Sequence, residues 1–180
     1  MNLIYISFFL MVFSLKFPDK DIGFETDLTV SSDSLLYPKA KHREQSKLIY
    51  QLLSKYHYQK IPLNDSLSEK ILKKYISSLD PNKEYFYSSD INYFNQYKYQ
   101  MDDYVISGYL EPAYEIFTVY NERVQNRINY VFSILEVEPD FTNNDELIFN
   151  RKDAVWFSDV TQMDNYWSKK IKNAILNLKI

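Results

Sequence analysis

A chain of 180 residues has room for one domain of ordinary size, and its 46% hydrophobic content excludes wholesale disorder. Lys and Arg number 21 against 24 Asp and Glu, a net charge of −3 that offers no broad basic field for nucleic acid. Seventeen Tyr and 12 Phe stand beside two Gly, too few for a β-rich fold with many tight turns or for a phosphate-cradling loop, so composition points to helices. There is no cysteine, which excludes disulfides and thiolate metal sites and leaves the redox compartment open.

Met1 to Leu15 is an apolar run with the length of a secretory h-region, too short for a comfortable membrane span. It reads as a signal peptide or N-terminal anchor. No Lys or Arg precedes it, and Phe13-Ser14-Leu15 is a poor cleavage site; a buried N-terminal strand or helix is the alternative. Residues 16–41 mix Asp, Ser, Lys and two prolines without helical period, the pattern of a linker or extended arm, with a short strand near Leu28-Thr29-Val30. The folded domain is expected over residues 42–180.

Leu48, Ile49, Leu52, Leu53 and Tyr56 recur at helical spacing and predict a first helix from Arg43 to His57. Ile61-Pro62-Leu63 breaks it. Ser66 followed by Glu69 has the spacing of a capping box, and Leu67, Ile71, Leu72, Tyr75, Ile76 and Leu79 form the stripe of a second helix. Pro81 disfavours the α region at Asp80, and Pro81-Asn82 suits a turn. Ser88 or Ser89 can cap a third helix, with Asp90 favourable at its positive end and Ile91, Phe94, Tyr97 and Met101 inward, running on through Val105 to a stop at Gly108.

Pro112 suits the first turn of a fourth helix. Its apolar face runs through Ala113, Ile116, Phe117, Tyr120, Val124, Ile128, Val131, Phe132 and Leu135, some 25 residues or roughly 38 Å. Phe117 and Phe132 are expected in the core. Glu138-Pro139 ends the helix. Residues 140–157 lack a helical stripe, and Phe141, Leu147, Ile148 and Phe149 suggest extended backbone packed on the bundle. Ser158 or Asp159 then caps a last helix carrying Val160, Met163, Trp167, Ile171, Ala174, Ile175 and Leu178. The expected fold is all-α: about five helices in an irregular bundle, one long and central, with an extended segment before the last.

No catalytic, cofactor-binding or metal-binding residue is assigned. His42 and His57 are the only histidines, and neither has an evident orienting partner in sequence. Asp102-Asp103 are helical neighbours that point different ways and cannot share a site as a dyad does. Ser68-Glu69-Lys70 and Ser168-Lys169-Lys170 lie within helices, whose amides are spent on i−4 carbonyls and cannot form an oxyanion hole. Arg123, Arg127 and Arg151-Lys152-Asp153 are expected in structural ion pairs with Glu122, Asp145 or Glu146. Trp156 and Trp167 read as core or edge anchors.

Leu79-Asp80-Pro81-Asn82-Lys83-Glu84-Tyr85-Phe86, leading into Ser89-Asp90-Ile91, resembles the N-terminal helical domain of tail-specific proteases, the carboxy-terminal processing peptidases. Other stretches match it in order: His57-Tyr58 before Asp65-x-Leu67-Ser68, Asp102-Asp103, Ser107-Gly108-Tyr109-Leu110, Ala113 to Phe117, and Tyr120-x-x-Arg123-x-x-x-Arg127-x-x-Tyr130. Asp140-Phe141-Thr142, Asn144-Asp145-Glu146, Asn150-Arg151-Lys152 and Trp156 continue the series. The resemblance spans Arg43 to Ile180. It implies a periplasmic serine endopeptidase in which this domain precedes a PDZ domain and a protease domain with a Ser–Lys dyad, acting on protein substrates with apolar C-termini. Those later parts have no counterpart in the chain. The resemblance therefore implies a non-catalytic N-terminal domain that packs beside the protease core, shapes substrate access and offers a surface for a protein adaptor, with membrane contact only through the N-terminal segment. The alternative is a stand-alone helical interaction module without catalysis.

Overall fold

The computed structural model describes residues 36–58, 62–143 and 145–179. The expected signal peptide or anchor, most of the linker and the strand near Leu28 lie outside the described residues, as do Ile61, Asn144 and Ile180. Among the described residues are six α-helices and no strand: α1 (Ala40–Tyr56), α2 (Asp65–Leu79), α3 (Ser88–Phe94), α4 (Met101–Ser107), α5 (Glu111–Leu135) and α6 (Val160–Lys179). The fold is all-α.

The expected third helix is two. It breaks after Phe94 into a single 3-10 turn at Asn95–Tyr97 and resumes at Met101, which lets Phe94 and Met101 both face the same core. α4 ends at Gly108, whose φ of +73° is the left-handed stop that glycine adopts without steric cost. Glycine is required there twice over, because a Cβ would lie 2.7 Å from the carbonyl oxygen of Arg43 on α1. The cap of α2 also differs from expectation. Asn64, not Ser66, is the capping residue, its side chain accepting from the Leu67 amide at 3.1 Å; Ser66 lies inside the first turn.

α5 is the spine. Its first half supplies Ile116 to a core with Leu72 and Ile76 of α2, Phe86, Phe94 and Met101, against which Val119 and Tyr120 pack. Phe86 and Phe94 meet edge to face at 5.4 Å, the arrangement that ring quadrupoles favour. Its second half sets Tyr130 and Val131 against a further core of Phe157, Met163, Tyr166 and Trp167.

The buried face of α5 is not the most apolar one. Pro112, Ile116 and Arg127 are buried, whereas Ile128 and Leu135 are exposed and Phe132 is 60% exposed. Phe117 is half-buried. At about 100° per residue the inner face is turned roughly a quarter-turn from the Phe117–Val124–Phe132 stripe. It turns because Arg123 and Arg127 are drawn inward by carboxylates on other elements. In α1 the apolar stripe likewise faces outward: Leu48, Ile49, Leu52, Leu53 and Tyr56 are all exposed. That helix attaches through another face, by Ser46 Oγ donating to the Val105 carbonyl at 3.1 Å, Tyr114 Oη against His42 Nδ1 at 2.8 Å, and Arg43 paired with Glu111.

Among the described residues the segment between α5 and α6 forms neither helix nor strand, and less of it packs than expected. Leu147 joins the second core; Ile148 and Phe149 are exposed. It returns to the bundle at Phe157, which forms an isolated parallel bridge with Tyr87 and accepts from the Ser88 amide at 2.9 Å.

Candidate functional site

The densest group of buried charge lies in the turn between α2 and α3. Pro81 keeps Asp80 out of the helical region (φ −132°, ψ 73°), so α2 stops and the Asp80 side chain is directed forward over the turn. Its carboxylate, 1% exposed, accepts three successive backbone amides: Glu84 at 2.8 Å, Tyr85 at 2.9 Å and Phe86 at 3.0 Å. A carboxylate ringed by amides is a charge-assisted cluster that replaces the water it has lost. Lys83 inside the loop sits at φ +55°, uncommon for a residue with a Cβ, and is held by its Nζ donating to the Ala154 carbonyl at 2.6 Å and lying over the Trp156 ring.

Glu84, next in the turn, is also buried. Its carboxylate accepts from the Tyr166 hydroxyl at 2.7 Å and pairs with Lys170, while its carbonyl accepts from Trp167 Nε1 at 3.0 Å. Three groups of α6 thus converge on one residue. Burial, and then the bond to Glu84, push the Tyr166 hydroxyl above the ordinary tyrosine range.

Asp90 is the third buried carboxylate. It accepts from the Tyr87 amide at 2.9 Å, closing the first turn of α3, and takes a two-pronged pair from Arg123 of α5, Nε at 2.9 Å and Nη2 at 2.7 Å. That pair holds the Arg123 guanidinium above its ordinary range. The cap of α3 is therefore reciprocal between Tyr87 and Asp90, where Ser88 or Ser89 was expected. Arg127, buried, pairs with Asp164 of α6, and the Asp164 carbonyl accepts from the Tyr130 hydroxyl at 3.0 Å.

These pairings replace the expected ones. Arg123 and Arg127 reach Asp90 and Asp164 instead of Glu122, Asp145 or Glu146, and Asp145 pairs with Lys172 at 2.6 Å. Arg151 stacks over Phe157 and donates to the Val155 carbonyl. Trp167 is a core anchor and Trp156 packs against Phe86, as the sequence indicates.

The residues weighed for chemistry are scattered. Ser68 is fully buried, its hydroxyl accepting from the Met101 amide at 2.6 Å, while Lys70 is exposed. Ser168 is exposed on a shallow cavity of about 510 Å³ between the C-terminal end of α5, the segment after it and the middle of α6; Lys172, one turn on, is occupied by Asp145. Asp102 is buried and Asp103 exposed, so the two do point apart. His42 Nδ1 also accepts from the Lys39 amide at 3.3 Å, and His57 stacks on Tyr58. Among the described residues no group of three or more His, Asp or Glu side chains could hold a metal ion.

What the arrangement can do is hold helices together. Asp80, Glu84 and Asp90 are each engaged by amides, hydroxyls or cations of the bundle. Sequence reasoning found the turn but missed the partners. The spacing of Arg123 and Arg127, one turn apart on the long helix, was the available signal.

Residues 49–180 match the family model described as the tail specific protease N-terminal domain. Over 129 residues, 71% of this chain, the sequence is 36% identical to a tail-specific protease of Haemophilus influenzae, and the match takes in 19% of that protein. The chain thus spans about a fifth of the relative's length. The turn at Asp80, the paired arginines of α5 and the segment leading to Trp156 all lie inside the matched region, and the chain belongs to the tail-specific protease N-terminal domain family.

Proposed function

We propose that this chain is the non-catalytic, architectural domain of an exported tail-specific carboxy-terminal processing protease. It packs beside the protease core in the periplasm and shapes the access of protein substrates with apolar C-termini, while the Ser–Lys chemistry belongs to the protease domain that follows a PDZ domain in the longer protein. The observation that carries the reading is the commitment of every buried acid in the turn to structural partners: Asp80 to three amides, Glu84 to α6, Asp90 to α5. The serines next to lysines are similarly placed, one buried under an amide and one exposed on a helix.

The test is direct. The purified chain, incubated with an unstructured substrate ending in an apolar tail, is expected to release no product. Turnover that disappears on replacing one of its serines would overturn the proposal. Reading the coding sequence past Ile180 separates the alternatives: a continuing frame with a PDZ-like region and a Gly-containing serine turn supports the architectural domain, and a genuine stop with independent expression favours a stand-alone interaction module.

A further inference from the structure

Of the six α-helices, α1 is the one in which no residue is buried; each of the others has at least two. Its inward face is His42, Arg43, Ser46, Lys47 and Tyr50, all half-buried, and what that face offers α4 and α5 is mainly polar. Ser46 Oγ donates to the Val105 carbonyl, the Tyr114 hydroxyl meets His42 Nδ1, and Arg43 pairs with Glu111. No residue of α1 belongs to either core or packs against one. A helix in a folded domain ordinarily owes its place, and much of its helicity, to a buried apolar face.

Water can take over each of these contacts. The Val105 carbonyl is among the last of α4, which have no partner inside the helix and are readily hydrated. Glu111 stands in the first turn of α5, whose positive end favours its charge without Arg43. While α1 is in place, Glu111 Oε2 is buried without a partner. Displacing Arg43 opens that carboxylate to water, so part of what the pair gains at one oxygen is lost at the other. The rest of the bundle does not depend on α1, because Glu84 and Asp90 tie the turn after α2 to α6 and α5.

We infer that α1 is a detachable arm, which leaves α4 and α5 and returns as a unit while both cores stay closed. Its latch is the polar set Arg43–Glu111, Ser46–Val105 and His42–Tyr114. Local openings of this kind cost less than global unfolding where few apolar contacts are broken. Gly108 gives the arm its seat, since only a residue without a Cβ lets the Arg43 carbonyl approach so closely. The arm lets the domain change its outline without disturbing the turn at Asp80. Once released, a helix of 17 residues is marginal in water, so its amides exchange with solvent.

Hydrogen exchange of the full chain, read by mass spectrometry, tests the inference. Peptides from α1 are expected to exchange at least about 100-fold faster than those of α2 or the first half of α5. Their rate should respond little to low urea, because releasing the arm exposes little surface. The Arg43 and Glu111 side chains are 41% and 35% exposed, so raising salt from about 0.05 M to about 0.5 M should speed exchange in α1 severalfold and leave α2 unchanged. Arg43→Gln should speed it about three- to tenfold, with unchanged protection in α2 and α6 showing that the variant folds. Exchange of α1 in step with α2, at the same urea dependence, overturns the inference, since the helix then opens only with the whole domain. Complete exchange of α1 at the earliest time in the unaltered chain also overturns it, because the helix is then never docked. So does an Arg43→Gln variant with unaltered α1 exchange. None of these readouts depends on proteolysis, so their failure is distinct from failure of the architectural proposal.

Discussion

Replacing Asp80 tests whether the turn is the organising element of the fold. The carboxylate accepts three backbone amides while 1% exposed, with Oδ2 serving Tyr85 and Phe86 and Oδ1 serving Glu84. Hydrogen bonds to a charged acceptor contribute about 1.5–3 kcal/mol each, and a buried amide left without a partner costs about 1–3 kcal/mol. Three bonds sharing one acceptor group do not add fully. For Asp80→Ala the expected loss is therefore about 3–5 kcal/mol, a large part of the roughly 5–15 kcal/mol that holds a domain together. Asp80→Asn keeps one oxygen, which can still serve the Tyr85 and Phe86 amides, and turns an NH₂ toward the Glu84 amide; about 1–3 kcal/mol should go. Urea unfolding followed by circular dichroism measures both. With a slope of about 1–3 kcal/mol per molar, Asp80→Ala should move the midpoint down by more than about 1 M. A loss below about 1 kcal/mol for Asp80→Ala at unchanged slope would refute the reasoning, since it would mean that water or a rearranged loop replaces the carboxylate at little cost.

Gly108→Ala should cost about 1–3 kcal/mol, from the left-handed backbone and from a Cβ 2.7 Å from the Arg43 carbonyl; hydrogen exchange should show α1 amides opening while those of α6 stay protected. Phe94→Ala, in the first core, should cost about 3–5 kcal/mol, whereas Phe132→Ala should stay below about 1 kcal/mol because that ring is mostly in water; equal losses in denaturant unfolding would show that the face of α5 is wrongly assigned. Burial pushes the Tyr75 hydroxyl, which donates to the Ala113 carbonyl, up to about 12, and Tyr166 is raised as well. Tyrosines of the unfolded chain ionise near pH 10, so their contribution is whole below that pH and is lost as pH rises through the folded values. Stability should therefore decline between about pH 10 and pH 12, read as a urea midpoint that falls across that range.

The helices were largely legible, because apolar spacing and the breakers Pro81, Gly108 and Pro139 act locally. Which face each helix buries was not. On α5 hydrophobicity favours the side holding Phe117 and Phe132, and the structure instead buries the side holding Arg123 and Arg127. A guanidinium reads as solvent-facing until its carboxylate is known, and Asp90 and Asp164 lie 33 and 37 residues away in the chain. The cap of α2 lies two residues before the expected one, because Asn64 and Ser66 are both good capping residues and the Asn64 side chain takes the Leu67 amide. α1 was correct as a helix and silent about its surroundings: a stripe of Leu and Ile reads the same whether the domain or something outside it supplies the partner.

The turn that carries the family resemblance is a structural signature, and its three acids divide the work. Asp80 shapes the loop that places Phe86 in the first core. Glu84 fastens α6 through Tyr166, Trp167 and Lys170, and Asp90 fastens α5 through Arg123. Removing any one of them leaves buried donors or a buried cation without a counterpart, which is costlier than the intact pairing is favourable. The turn and its partners on α5 and α6 therefore act as one structural unit. α1 lies outside that arrangement. It is held by a few polar contacts at its first half and by none of the three acids, and its apolar stripe, like the outer face of α5, stays outside both cores. Surface that packing does not require is where such a domain can meet its surroundings.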